Sequence, residues 1–122
     1  MELEKKKLKI ILIDDNELSL QTMQKSFKLN GFILDAETNP NIALEKHFEN
    51  NYDLILSDIM MPGLNGFLLT KLVKERTPST KVILFTGYYT KEKSAEGLMA
   101  GAEEVYPKPL PIIEILEKLK KY

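Results

Sequence analysis

At 122 residues, with 17 Lys and Arg against 18 Asp and Glu and a formal net charge of -1, the chain has room for one core and no global field to draw it onto nucleic acid or anionic lipid. The absence of cysteine excludes a disulfide framework and thiolate chemistry, and a single histidine excludes a metal site built from several imidazoles. Apolar runs are only strand-length and none near Met1 has the character of a signal segment, so the expectation is one domain over residues 1–122, cytoplasmic and without a membrane span.

Apolar runs of strand length alternate with stretches of helical period along the chain, the pattern of βα units that feed a parallel sheet. A first strand over 8–13 precedes a helix that starts near Asn16 or Glu17, turns Leu20, Met23 and Phe27 inward, and stops at Asn30-Gly31. A second strand covers 32–36. Asn39-Pro40 then reads as the N-cap and first position of a second helix, with Ala43, Leu44 and Phe48 inward and an end at Asn50-Asn51. The third strand, 52–57, leads to Asp58 and a Met-Met-Pro-Gly-Leu-Asn-Gly loop, followed by a helix over Gly66–Arg76 with Leu68, Leu69, Leu72 and Val73 toward the core. Strand four, 81–85, is almost wholly apolar, as expected for burial on both faces. A fourth helix over 91–99 is interrupted by Gly97, a short fifth strand covers 104–106, and Pro111 opens a last helix with Ile112, Ile113, Leu116 and Leu119 inward. The basic runs at 5–7 and 120–121 read as solvated ends, and His47, set among charges in LEKHFE, reads as exposed helix surface.

Open α/β sheets bind ligands beyond the carboxyl ends of their strands, where the winding reverses. Strand one ends on Asp14 and Asp15, strand three on Asp58, strand four on Thr86 before Gly87, and strand five leads into Lys108-Pro109. In a flavodoxin-like (βα)5 three-layer sandwich with strand order 2-1-3-4-5, strands one and three are neighbours and the three carboxylates meet. Such a cluster repels itself. A divalent cation with a preference for oxygen relieves the repulsion, and the open geometry suits Mg²⁺, which keeps several waters. Thr86 adds a hydroxyl and Lys108 an ammonium of the kind that binds phosphate, which together describe a phosphoryl-transfer site.

The segments IDD at 13–15, LILSDIMMPGLNG at 54–66, FTG at 85–87 and AGAEEVYPKP at 100–109 carry a resemblance over essentially the whole chain. The sequence resembles a response-regulator receiver domain, the CheY-like module of two-component signalling. The resemblance implies a phosphorelay switch in which Asp58 takes a phosphoryl group from a phosphohistidine on a sensor histidine kinase or histidine phosphotransfer protein and becomes 4-aspartylphosphate. It implies Mg²⁺ bound directly by Asp15, Asp58 and the backbone carbonyl of Met60, with Asp14 acting mainly through water. Thr86 would bond a phosphoryl oxygen and Lys108 would pair with the phosphoryl group, beside a cis Lys108-Pro109 bond. Met60 and Tyr88 would border the path of the attacking water and slow hydrolysis. A receiver catalyses only its own phosphorylation and dephosphorylation and is not otherwise an enzyme. Its output would pass to a downstream protein through the face of the fourth helix, fifth strand and fifth helix, as a monomer or a weak phosphorylation-linked dimer.

One position departs from the family. Val105 stands three residues before the lysine, where receivers commonly carry Tyr or Phe. Tyr106 is adjacent, but side chains alternate along a strand, so it is expected on the opposite side. The change in shape is then expected to run through Thr86 into the loop after Gly87, with Tyr88 or Tyr89 as the mobile ring. Two other functions remain open on this scaffold. An aspartyl-phosphate phosphatase would place its nucleophile after strand one in a D-x-D pattern that Asp14-Asp15-Asn16 lacks. A receiver-like binding module that takes no phosphate usually shows loss of an acid or the lysine, and all are present here. The chain is read either as a stand-alone receiver or as a domain of a longer protein.

Overall fold

The computed structural model describes residues 8–121. The strands are β1 (Ile10–Ile13), β2 (Asp35–Glu37), β3 (Leu54–Asp58), β4 (Lys81–Thr86) and β5 (Glu104–Pro107). The helices are α1 (Glu17–Leu29), α2 (Pro40–Asn50), α3 (Gly66–Arg76), α4 (Lys91–Ala100) and α5 (Ile112–Leu119). All strand pairs are parallel and the sheet order is β2-β1-β3-β4-β5, as expected. No helix among the described residues is long and apolar enough to cross a membrane.

Strand alternation divides the core in two. Leu12, Leu56 and Phe85 face α1 and α5, where they meet Phe27, Ile115 and Leu119. Ile11, Ile55 and Leu84 face the other way, toward Ala43 of α2 and Leu69 and Val73 of α3. Complete burial of each such side chain contributes about 1.5–3 kcal/mol, so the sheet is held from both sides and its strand ends become fixed points. Val105 belongs to the second core and Tyr106 to the first, which places them on opposite faces of β5 as alternation requires. α4 lies close over β5 at Gly97, where a Cβ would stand only 2.6 Å from Val105 Cγ2.

Several sequence expectations need correction. His47 is completely buried. It lies four residues after the buried Ala43, on the inward stripe of α2, and its polar atoms are all satisfied inside the protein. In α3 the inward stripe is Gly66, Leu69, Thr70 and Val73, so Leu68 is 46% exposed rather than in the core. Thr70 tolerates burial because its hydroxyl donates to the Gly66 carbonyl at 2.7 Å. In α5 the inward stripe is Ile115, Leu116 and Leu119, and Ile113 is 75% exposed. β2 is limited to three residues: the Phe32 N–H closes the end of α1 on the Phe27 carbonyl, and the Leu34 carbonyl accepts from the Gln24 side chain. Residues 32–34 are therefore outside the ladder. Lys120 and Lys121 are exposed, as expected of solvated ends, and the lysine run at 5–7 lies outside the described residues.

Candidate functional site

At the carboxyl edge of the sheet three strands end in the same local device. The side chain of the strand-end residue accepts the backbone N–H two residues on: Asp14 Oδ1 from Asn16 at 3.0 Å, Asp58 Oδ1 from Met60 at 3.1 Å, and Thr86 Oγ1 from Tyr88 at 3.1 Å. These are Asx- and Ser/Thr-type turns, which bend the chain out of the strand while holding the polar side chain in one orientation. The turn after Asp58 continues with Gly63 at φ +85° and returns to the sheet at Gly66. A Cβ on Gly66 would lie 2.7 Å from the Asp58 carbonyl oxygen and 2.9 Å from Ile59 Cα, so only glycine lets α3 start this close to the end of β3. Asn65 caps α3 by accepting from the Leu68 N–H.

Asp14, Asp58 and Thr86 are buried, whereas Asp15 is exposed. The three carboxylates offer oxygens that all lie within 4.8 Å of one another. Lys108 reaches across from the end of β5, its Nζ 2.8 Å from Asp14 Oδ2 and 3.0 Å from Asp58 Oδ2. Its backbone is fixed by donation of its N–H to the Thr86 carbonyl, and the Lys108-Pro109 bond is cis. Every candidate drawn from the strand ends is thus at one edge of the sheet, and Asp14, Asp15, Asp58 and Lys108 form one cluster. Met60 and Tyr88 are exposed, whereas Met61 packs inward.

Burial pushes the Asp58 carboxyl above its ordinary range; the two-pronged Lys108 ammonium pulls it down and the negative Asp14 pushes it up again. Burial disfavours the charged Lys108, but its hydrogen bonds and attraction to Asp14 and Asp58 outweigh that and raise its pKa. The donor set is hard oxygen, so Asp14, Asp15 and Asp58 form an acidic pocket whose chemistry fits a hard, oxygen-preferring metal ion.

What the sequence did not reveal here is the anchoring by backbone N–H groups. Its only signal is the placement of Asp or Thr immediately after an apolar run, which is also the signature of an ordinary turn.

The response regulator receiver domain model matches residues 10–120. The chain belongs to this family. It is 26% identical to the transcriptional regulatory protein CusR of Escherichia coli, over 93% of this chain and 50% of that protein. It is 29% identical to the transcriptional regulatory protein ResD of Bacillus subtilis, over 92% of this chain and 46% of that protein. Among solved structures, the receiver domain of the Francisella response regulator 1452 superposes with a TM-score of 0.84 at 30% identity, over 93% of this chain and 94% of that one. The chain therefore spans about half the length of these two curated relatives. Receivers are signalling domains of two-component systems and work with histidine kinases.

Proposed function

We propose that this receiver is a phosphorylation-dependent switch whose acceptor is Asp58. The observation that carries the reading is the meeting of Asp14, Asp58 and Lys108 at one sheet edge, with Thr86 at the end of the adjacent strand. An Asp58 carboxylate oxygen attacks the phosphorus of a phosphohistidine presented by a sensor histidine kinase or histidine phosphotransfer protein. The P–N bond breaks, its electron pair returns to the imidazole, and an acyl phosphate forms on Asp58. Mg²⁺, held by Asp15, Asp58 and the Met60 carbonyl with Asp14 in support, supplies charge neutralisation when bound. Lys108 pairs with the transferred group, and the buried Thr86 hydroxyl turns toward a phosphoryl oxygen, releasing the Tyr88 N–H it now accepts from.

Hydrolysis is slow because the side chains of Met60 and Tyr88, both large and uncharged, crowd the approach of water. Output passes to a downstream protein through the α4-β5-α5 face, with the chain as a monomer or a weak phosphorylation-linked dimer in the cytoplasm. No nucleic acid is bound by this domain, and catalysis is confined to its own phosphorylation and dephosphorylation. Tyr106 lies on the face opposite Val105, its hydroxyl bonded to Lys118 Nζ at 2.7 Å, which favours Tyr88 or Tyr89 over strand five as the moving element.

Incubation with Mg²⁺ and acetyl phosphate, followed by intact mass, tests the reading. A single labile phosphoryl group on the protein is expected. No addition under conditions that keep the protein folded would refute it.

A further inference from the structure

The tetrapeptide Leu-Asn-Gly-Phe occurs twice, at residues 29–32, where it ends α1, and at residues 64–67, where it begins α3. We infer that Asn30 is a site of spontaneous deamidation in the folded protein, whereas Asn65, in the same local sequence, is held intact by the fold. Glycine after asparagine leaves the attacking backbone nitrogen least hindered, because it has no Cβ. The glycine nitrogen bonds to the asparagine Cγ and gives up its proton, and the side-chain nitrogen leaves as ammonia. The imide that results then adds water. Cleavage of its Cγ–N bond gives aspartate, and cleavage of the original peptide C–N bond gives isoaspartate, in which the main chain runs through Cβ and Cγ.

In ring closure the new carbon takes the place of the glycine N–H hydrogen, so the group that accepts that N–H has to give way. At Gly66 the acceptor is the Ile59 carbonyl, at 2.9 Å. Ile59 is completely buried and its own N–H is tied to the Phe85 carbonyl at 2.9 Å, which makes this oxygen a fixed part of the sheet edge. Gly66 is buried as well, and the Asn65 side chain is held by its cap, Oδ1 accepting from the Leu68 N–H at 2.9 Å. Attack at position 65 therefore requires the whole β3-α3 connection to open. At Gly31 the acceptor is the Lys28 carbonyl, at 3.0 Å, in the last turn of α1. Lys28, Leu29, Asn30 and Gly31 are all exposed, and a Cβ on Gly31 would meet nothing within 4 Å. The Asn30 side chain is held only by donation from Nδ2 to the Ser26 carbonyl at 2.8 Å. Asn30 has a ψ of 15°, and the rotation that turns the following nitrogen onto Cγ gives up these two hydrogen bonds at an exposed helix end, the kind of segment that opens most readily.

Conversion changes the corner between α1 and β2. A carboxylate at the C-terminal end of α1 opposes the helix dipole, which Lys28 now complements. Isoaspartate also lengthens the main chain by one carbon between positions 30 and 31. Phe32 is next, its N–H closing α1 on the Phe27 carbonyl at 3.0 Å and its side chain packed against the core. The product is a one-way mark of the protein's age that loosens the link into β2. Its exposed isoaspartyl carboxylate is a substrate for a protein carboxyl methyltransferase that uses S-adenosylmethionine.

Peptide mass mapping of the full chain, aged in warm, mildly alkaline buffer with and without urea, tests this. Deamidation is read at each asparagine from replacement of the amide by a carboxyl, and isoaspartate from methyl transfer by an isoaspartyl methyltransferase with labelled S-adenosylmethionine. In urea the two identical tetrapeptides should convert at similar rates. In the folded protein conversion at Asn30 should exceed that at Asn65 by about tenfold or more, because a helix end opens far more often than a connection tied into the core. Asn30→Gln, whose longer side chain closes the corresponding ring slowly, should abolish methyl labelling of the folded protein and keep its urea midpoint constant on ageing, whereas the wild-type midpoint falls. Conversion at neither asparagine of the folded protein overturns the inference. So does an Asn30 to Asn65 ratio no larger in the folded protein than in urea, or methyl labelling that persists in Asn30→Gln.

Discussion

The two ends of the sheet each bury a polar cluster, and they do it in opposite ways. At the carboxyl edge, Asp14 and Asp58 share one ammonium and stand close to a third carboxylate, so like charges are forced together. At the amino edge, His47 is surrounded by neutral partners. Its Nδ1 accepts the Tyr52 N–H at 3.2 Å, so the neutral ring carries its proton on Nε2 and donates to Thr77 Oγ1 at 2.8 Å. Thr77 passes its own proton to the Val73 carbonyl. The histidine network ties α2, β3 and the end of α3 together and is complete in itself. The aspartate cluster gathers three carboxylates around a single ammonium and so carries surplus negative charge. Buried polarity that is satisfied stabilises a fold, whereas buried charge in excess marks a place where chemistry is done.

That contrast breaks if variants at one end affect the readout of the other. The largest effect is expected from Asp58→Asn, which should abolish phosphoryl uptake from acetyl phosphate while leaving far-UV circular dichroism unchanged. His47→Ala should do the reverse: phosphorylation proceeds at the wild-type rate, but urea unfolding shows a loss of about 2–3 kcal/mol from the cavity and the unpaired Tyr52 N–H.

pH sharpens the same contrast. Burial holds His47 below its ordinary value of 6.5, so the folded state binds fewer protons than the unfolded chain at mildly acidic pH. Its contribution to stability is complete above 6.5 and is lost as pH falls from there through the lower folded value. Denaturant midpoints should fall across that window in wild type, with a slope of at most about 1.4 kcal/mol per pH unit, and the slope should flatten in His47→Gln. An identical slope in both proteins would remove His47 from the account.

At the other edge, Mg²⁺ should raise the melting temperature, by an amount that follows mass action and amounts to about 2.7 kcal/mol at a hundredfold excess over the dissociation constant. Asp15→Asn should remove most of that rise and make the protein more stable than wild type without Mg²⁺, because one of three like charges is gone. The smallest effect concerns output. With no tryptophan in the chain, tyrosine emission is unmasked, and addition of beryllofluoride with Mg²⁺ should change it in wild type. The change should persist in Tyr106→Leu and shrink in Tyr88→Leu or Tyr89→Leu. Loss only in Tyr106→Leu would return the switch to strand five.

The strand order and the carboxyl-edge residues were legible because both rest on strong signals. Apolar runs repeated five times fix the alternation, and Asp58 and Thr86 close, and Asp14 and Lys108 directly follow, strands whose ends the pattern locates. The helical phases were less so. Where four apolar residues are offered, as at Leu68, Leu69, Leu72 and Val73, period alone allows neighbouring choices, and a buried Thr70 that bonds its own helix decides between them. His47 was misread from its charged neighbours although its spacing from Ala43 pointed inward; Thr77 and Thr80, which make that burial tolerable, lie some thirty residues away in sequence. Long-range satisfaction of a polar group leaves no local trace.

The central claim is that the strand-three carboxylate is the chemical centre of the molecule. Protein treated with Mg²⁺ and acetyl phosphate, reduced with borohydride and digested, converts an aspartyl phosphate into homoserine that peptide sequencing by mass spectrometry can locate. The account predicts homoserine at position 58 alone. Homoserine at position 14 or 15, or at none of the aspartates in protein that has taken up phosphate, would contradict it.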